Sequence, residues 1–168
     1  FTHLFNAMSP MQHRAPGMVG AALESDAYCG VIVDGLHVDP AVLRIAFRAH
    51  RIDRFMLVSD AMPTAGWHGT EFMLGDTPIV ARGGRLQGPD GTLAGADLDM
   101  ARALRNAIAL TGVSLDQASL MASGAPARFL RLGDRTGALA PGLRADMVQL
   151  DAAFRVKHVW QGRRRLDP

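Results

Sequence analysis

Tyr28-Cys29-Gly30-Val31-Ile32-Val33-Asp34-Gly35-Leu36-His37 opens the stretch that decides the fold, and Phe55-Met56-Leu57-Val58-Ser59-Asp60 closes it. Each is a short apolar run halted by polar residues, which is how a strand buried on both faces reads in a parallel sheet. Between them, Asp39-Pro40 supplies a helix N-cap followed by a proline suited to the first helical position. A helix is expected from there to about residue 50. Its apolar positions Val42, Leu43, Ile45, Ala46 and Ala49 recur at three- and four-residue spacing, leaving Arg44, Arg48 and Arg51 toward water. Strand, helix, strand is a βαβ unit, so the chain reads as α/β.

Working outward, residues 1–5 are expected to form a third strand with His3 at its end, followed by the Asn6-Ala7-Met8-Ser9-Pro10 loop. On the other side, Gly75-Asp76, Gly83-Gly84 and Asp90-Gly91 are turn dipeptides between short strand-like runs such as Pro78-Ile79-Val80. They predict a β-hairpin insertion near residues 70–94. Asp97 is expected to cap a helix carrying Met100, Leu104, Ala107, Ile108 and Leu110 up to Gly112. Ser114 and Gln117 form a capping box for the next helix, and a third short helix is expected at 125–130. From Gly137 onward, strands at 145–150 and 155–160 alternate with turns. The expected organisation is therefore residues 1–136 as one part and 137–168 as strands of a separate small β domain.

Composition narrows the function class. The 168 residues are 48% apolar and 20% charged, which excludes disorder. Lysine and arginine number 18 against 16 acidic residues, a net charge of +2, so no nucleic-acid partner is implied. The run Arg163–Arg165 reads as a solvated basic cluster. A single cysteine, Cys29, makes no internal disulfide, which fits a reducing, cytoplasmic home. No stretch approaches the roughly 20 apolar residues that span a bilayer, so no membrane partner is expected. The opening Phe1-Thr2-His3 lacks an initiator methionine and any signal-type region, so the sequence is expected to be a portion of a longer enzyme.

Polar residues directly after parallel strands face the mouth of an α/β barrel, and His3, His37 and Asp60 all qualify. Each histidine also reads as a hydrogen-bonded core residue, and Asp60 as half of a structural salt bridge. A carboxylate ending an apolar strand is costly to bury without a cation, a metal or several donors. Together, an imidazole and a carboxylate can hold a divalent metal, usually zinc, whose bound water ionises near pH ~7. A carboxylate within reach takes that water's proton and returns it to a leaving group. Arg14 offers a guanidinium suited to phosphate, although a lone loop arginine also reads as simply exposed. Asn6 and the backbone of Ala7 can hydrogen-bond sugar-type hydroxyls. His13, His50, His68 and His158 are assigned no chemistry; His50 ends a helix, where a cation suits the dipole. Cys29 reads as an inert core residue.

Five stretches then match something specific: Thr2-His3-Leu4-Phe5-Asn6-Ala7-Met8, Arg14-Ala15-Pro16-Gly17, Asp34-Gly35-Leu36-His37-Val38-Asp39, Leu57-Val58-Ser59-Asp60-Ala61 and Gly91-Thr92-Leu93-Ala94-Gly95. In this order they resemble the N-acetylglucosamine-6-phosphate deacetylases, a family of the amidohydrolase superfamily, over essentially the whole chain. The resemblance implies the last three strand ends and helices of a TIM-type (β/α)8 barrel, plus C-terminal strands of a small β-sandwich domain. It implies a metal-dependent hydrolase that removes acetate from N-acetylglucosamine 6-phosphate. His3 would be a metal ligand and Asp60 the catalytic acid/base. His37 and Arg14 would bind the sugar phosphate, Arg14 reaching the neighbouring subunit's site in a homodimer. Asn6 and Ala7 would hold phosphate or hydroxyls, and Leu93 would line the sugar pocket. The family's remaining metal ligands, and the histidine that polarises the acetyl carbonyl, would precede Phe1. Two other readings stay open: another amidohydrolase, of aminoacylase or dihydroorotase type, and an inactive sugar-phosphate-binding fragment.

Overall fold

A computed structural model describes residues 1–67 and 69–166; His68 lies outside the described residues. Helix α1 (Gly17–Glu24) leads into strand β1 (Cys29–Ile32), then helix α2 (Pro40–Ala49) and strand β2 (Phe55–Val58). The two strands pair in parallel, Cys29 opposite Phe55 through to Ile32 opposite Val58. All four β1 residues are buried, as a strand covered on both faces requires, whereas β2 alternates between buried Phe55 and Leu57 and half-buried Met56 and Val58. The βαβ reading therefore holds. Phe55 is fully buried and meets Phe47 edge-on, with ring centroids 4.8 Å apart. Burying one such side chain contributes about 2–3 kcal/mol.

Helix α2 starts as its sequence dictates: Pro40 occupies the first turn and the Asp39 carboxylate accepts from the Ala41 amide. Its buried stripe is narrower than expected. Leu43 and Ala46 are buried, but Val42, Ile45 and Ala49 are exposed. His50 does end the helix, as its C-cap, and its ring is buried. Its Nε2 lies 3.0 Å from the Ala27 carbonyl, and its ring meets Phe55 edge-on. Cys29 is buried, which pushes its thiol pKa up and leaves it inert. Helix α1 was not foreseen, because its first turn carries no acidic residue and Pro16 makes no side-chain cap.

The opening segment is a correction. Residues 1–5 contribute three ladder-like bonds, the Phe1 amino group to the Tyr28 carbonyl, Gly30 N–H to the Phe1 carbonyl and Leu4 N–H to the Gly30 carbonyl, but turn at His3 and form no strand. The expected hairpin is a larger element, a four-stranded antiparallel meander of β3 (Glu71–Leu74), β4 (Thr77–Arg82), β5 (Arg85–Gln87) and β6 (Leu93–Ala96). Helix α3 (Met100–Asn106) is capped by Asp99, whose carboxylate accepts from the Arg102 amide, and not by Asp97. It runs on through a π-helical turn (Ala107–Thr111) to Gly112. Ser114 and Gln117 do form the capping box of α4 (Leu115–Ser119), and after a second π-helical turn comes α5 (Ala125–Phe129). Strands β7 (Met147–Leu150), β8 (Val156–Gln161) and β9 (Arg164–Leu166) make a third sheet, antiparallel throughout. The arginine run lies in and beside β9, with Arg163, Arg164 and Arg165 all exposed, as expected of a solvated cluster. The Arg105 guanidinium donates to the Phe154 carbonyl at 2.9 Å, tying α3 to the loop between β7 and β8. Among the described residues no helix is long and apolar enough to cross a membrane.

Candidate active site

The parallel register decides where the candidate residues stand. Because Ile32 and Val58 are partners, the loops that follow them leave the same end of the sheet, and these loops carry His37 and Asp60. In open and closed parallel sheets alike, that carboxyl end is where reacting groups gather. The opening segment bonds to β1 on one side. On the other, the loop after β2 is held by β6, through a parallel bridge between Ala61 and Ala96. Ala96 N–H donates to the Asp60 carbonyl at 2.8 Å, and Met62 N–H donates to the Ala96 carbonyl at 3.1 Å.

Backbone strain marks these turns. His3, Phe5, Ala7 and Asp60 have φ of 34°, 78°, 52° and 49°, a left-handed conformation that non-glycine residues rarely adopt. Each costs about 1–3 kcal/mol and persists only where surrounding structure enforces it, which makes such clusters characteristic of functional loops.

The His3 ring is half-buried, and its Nδ1 lies 3.0 Å from the Asn6 carbonyl oxygen. A carbonyl only accepts, so Nδ1 carries the proton of this bond, and Nε2 is the ring atom left for another partner. Asn6 works here through its main chain. Its side-chain amide reaches back to the His3 and Leu4 carbonyls at 3.4 Å each. That pattern braces His3, a role the sequence reading missed. Ala7 follows in an exposed, left-handed position.

His37 and Asp34 form the most constrained group. Asp34 Oδ2 lies 2.6 Å from His37 Nδ1, and the two side chains are 2% and 7% exposed. Asp34 Oδ1 also accepts from the Leu36 and His37 amides at 2.8 and 2.9 Å. Burial works against the Asp34 charge, but the His37 ring and the two amides outweigh it and hold its carboxyl at about 2. The same ring bond raises the His37 pKa against the pull of burial, and the Asp34 and Asp60 charges add to the rise. Asp60 is exposed, and its negative charge thus acts on His37. Deeper in the fold, Asn106 donates to the Val33 carbonyl at 2.9 Å and fixes the start of this loop.

The remaining expected residues stand apart from this group. Arg14 projects from an exposed loop closed by paired bonds between Gln12 and Ala15, and it makes no ion pair among the described residues. Leu93 is half-buried at the start of β6, opposite Gln87. Two cavities, of about 640 and 520 Å³, lie elsewhere, the larger between α3, α4 and the β7–β8 pair. None of the candidate residues lines either. Among the described residues, no three His, Cys, Asp or Glu side chains converge as a metal site would require. The donor chemistry of His3 fits one bond to a divalent ion and no more.

Comparison with known proteins sharpens this geometry. A family model described as Amidohydrolase family matches residues 2–163. The N-acetylgalactosamine-6-phosphate deacetylase of Shewanella sp. (strain ANA-3) is 45% identical over 161 residues, covering 95% of this chain and 41% of that relative. A crystal structure of N-acetylglucosamine-6-phosphate deacetylase from Pasteurella multocida matches with a TM-score of 0.96 and 33% identity, over 99% of this chain and 44% of that one. An aspartate-to-alanine mutant of the Mycobacterium smegmatis N-acetyl-D-glucosamine-6-phosphate deacetylase, solved with N-acetyl-D-glucosamine-6-phosphate, matches with a TM-score of 0.90 and 35% identity, over 98% and 44%. The chain thus spans about two fifths of the length of these three proteins, whereas it covers 95% of a putative N-acetylgalactosamine-6-phosphate deacetylase of Escherichia coli (strain K12), to which it is 38% identical over 94% of its own length.

Proposed function

This chain belongs to the amidohydrolase family, and from that premise we propose that it supplies part of the active site of a deacetylase for a 6-phosphorylated N-acetyl amino sugar. N-acetylglucosamine 6-phosphate is the first reading, with acetate and glucosamine 6-phosphate as products. The observation that carries it is the parallel β1–β2 register, which sets His37 and Asp60 at the same end of neighbouring strands.

The residues divide the work. The Asp60 carboxylate, exposed at the end of β2, takes a proton from the attacking water and delivers it to the departing amine nitrogen. His37, its ring held by Asp34, meets the phosphate. Arg14, exposed and without an ion pair among the described residues, adds a second cation to that phosphate, across a homodimer interface. Asn6 and Ala7 hold hydroxyls or phosphate beside His3, and Leu93 borders the sugar. The family implies a divalent metal; when bound, such an ion lowers the pKa of water and polarises the carbonyl. His3, through Nε2, would give that ion one bond, with zinc as the usual partner of an imidazole. Within this reading, residues 1–136 belong to a barrel, 137–168 to a small β domain, and the single buried Cys29 suits a cytoplasmic setting.

A second reading changes only the sugar. The 45% identity to the Shewanella protein favours the epimeric N-acetylgalactosamine 6-phosphate. Acetate release from both sugar phosphates, compared as kcat/KM, decides between them. For the reaction itself, Asp60→Asn is expected to lower kcat by about 10²–10⁴-fold with KM little changed. Undiminished turnover would remove Asp60 from the proton transfer.

A further inference from the structure

We propose that Asp34 is a positioning residue: its buried carboxylate holds His37 as a doubly protonated ring whose Nε2–H is offered to the anionic group of the ligand. This rests on the reading of His37 as the residue that meets the substrate's phosphate.

The geometry leaves little freedom. An ionised carboxylate only accepts, so the 2.6 Å contact with Nδ1 requires the proton there. Oδ1 is meanwhile occupied by the Leu36 and His37 amides, so the Asp34 side chain cannot turn away without breaking three bonds at once. With 2% of its side chain exposed, water cannot replace those donors. Among the described residues, nothing hydrogen-bonds His37 Nε2. The His37 side chain is 7% exposed, and Nε2 is not among the buried atoms left without a partner.

In this pose a neutral ring would present an Nε2 lone pair, which repels an oxyanion and suits a metal. A phosphate needs the cation. Two charged groups act on the ring, Asp34 from its own loop and Asp60 from the loop after β2, and both are negative. The ring therefore keeps its proton to higher pH than an ordinary histidine, with Nε2 as its remaining donor. Asp34 touches no ligand in this scheme; it acts through His37, as second partners of ligand-binding imidazoles commonly do.

The test follows the His37 ring directly, by nitrogen-15 NMR titration of the 168-residue chain. In the wild type the midpoint should lie above that of a free histidine, and 5 mM-scale glucosamine 6-phosphate, chosen as about the weak-binding range, should raise it further, while unphosphorylated glucosamine should not. Asp34→Asn keeps an oxygen for the two amides but loses the charge. It should lower the midpoint by about one pH unit or more and weaken the response to the sugar phosphate, with the β2 amide signals unmoved as the control for the fold. A midpoint indifferent to Asp34→Asn overturns the positioning role alone. A midpoint that responds to Asp34→Asn but ignores glucosamine 6-phosphate overturns the phosphate reading of His37 and the donor role with it. If the variant does not fold, the wild-type titration still decides, since a ring that is neutral at pH 6.5 with an unprotonated Nε2 overturns the proposal.

Discussion

Gly95 leaves empty the place where Met62 and the carbonyl of Asp60 close over β6. A β-carbon there would stand 2.5 Å from Met62 Cγ and 2.9 Å from the Asp60 carbonyl oxygen, and Gly95 itself has a φ of 77°. Both conditions exclude a side chain. Gly95→Ala is therefore expected to destabilise the chain by about 1–3 kcal/mol and to displace the Asp60 loop. Urea unfolding measures the first effect, and a fall in kcat larger than any change in KM reports the second. A variant as stable as the wild type would mean that the loop moves aside freely.

His3 offers a metal ion one nitrogen, since Nδ1 is engaged by the Asn6 carbonyl and no second or third ligand converges among the described residues. A single imidazole binds zinc weakly, as structural and catalytic sites take three or four ligands. The 168-residue chain dialysed against zinc should thus retain far less than one ion per molecule, and His3→Gln should leave that content unchanged. Atomic emission after dialysis is the measurement. A stoichiometric ion lost with His3→Gln would show further ligands closing on that ring.

The Asp34–His37 pair makes stability depend on pH in two windows. Asp34 is held at about 2 against its ordinary 3.8, so its contribution is present above 3.8 and disappears as pH falls through 2. That difference corresponds to about 2 kcal/mol. His37 is raised above its ordinary 6.5, so its contribution is complete below 6.5 and is lost as pH rises through the raised value. Asp26, Asp53, Asp90, Asp146 and Asp151 are also lowered, but solvent screens these more exposed groups and their share is small. Unfolding free energy measured in urea across pH 2–9, a span of about seven units covering both windows, should show a plateau between them. Asp34→Asn should flatten both shoulders, and an unchanged profile would deny the pair its stabilising role.

How much of this could be read beforehand depends on whether the signal was local. Continuous apolar runs identify β1 and β2, and Asp39-Pro40 and Ser114 with Gln117 announce their helices, because strand burial and capping are written in adjacent residues. The opening segment misled because His3, Phe5 and Ala7 take left-handed backbone conformations that no composition rule announces for such residues. The four-stranded meander exceeded a hairpin because β6 is a Gly-Ala-rich strand, LAGA, weak in β-propensity and fixed by pairing with β5 and by its bridge to Ala61. Around the candidate site, His37 and Asp60 were legible as strand-end polar residues. Asp34 as the partner of the His37 ring and Asn106 as the clamp on Val33 were not, since the first depends on a loop conformation and the second on a contact 73 residues away.

The cap of α3 separates two aspartates two residues apart. Asp99 has extended backbone angles, and its carboxylate accepts from the Arg102 amide at 2.7 Å, the geometry of an N-cap. Asp97 contributes its carbonyl to the Arg102 guanidinium, a bond that survives loss of its side chain. Asp99→Ala should therefore cost about 1 kcal/mol of stability, while Asp97→Ala should stay within about 0.5 kcal/mol of the wild type. Both are read from urea midpoints at constant slope, which keeps the comparison free of changes in the unfolded state. The reverse order would return the cap to Asp97 and start the helix two residues earlier, moving the C-terminal end of β6 and with it the bridge that holds Ala61.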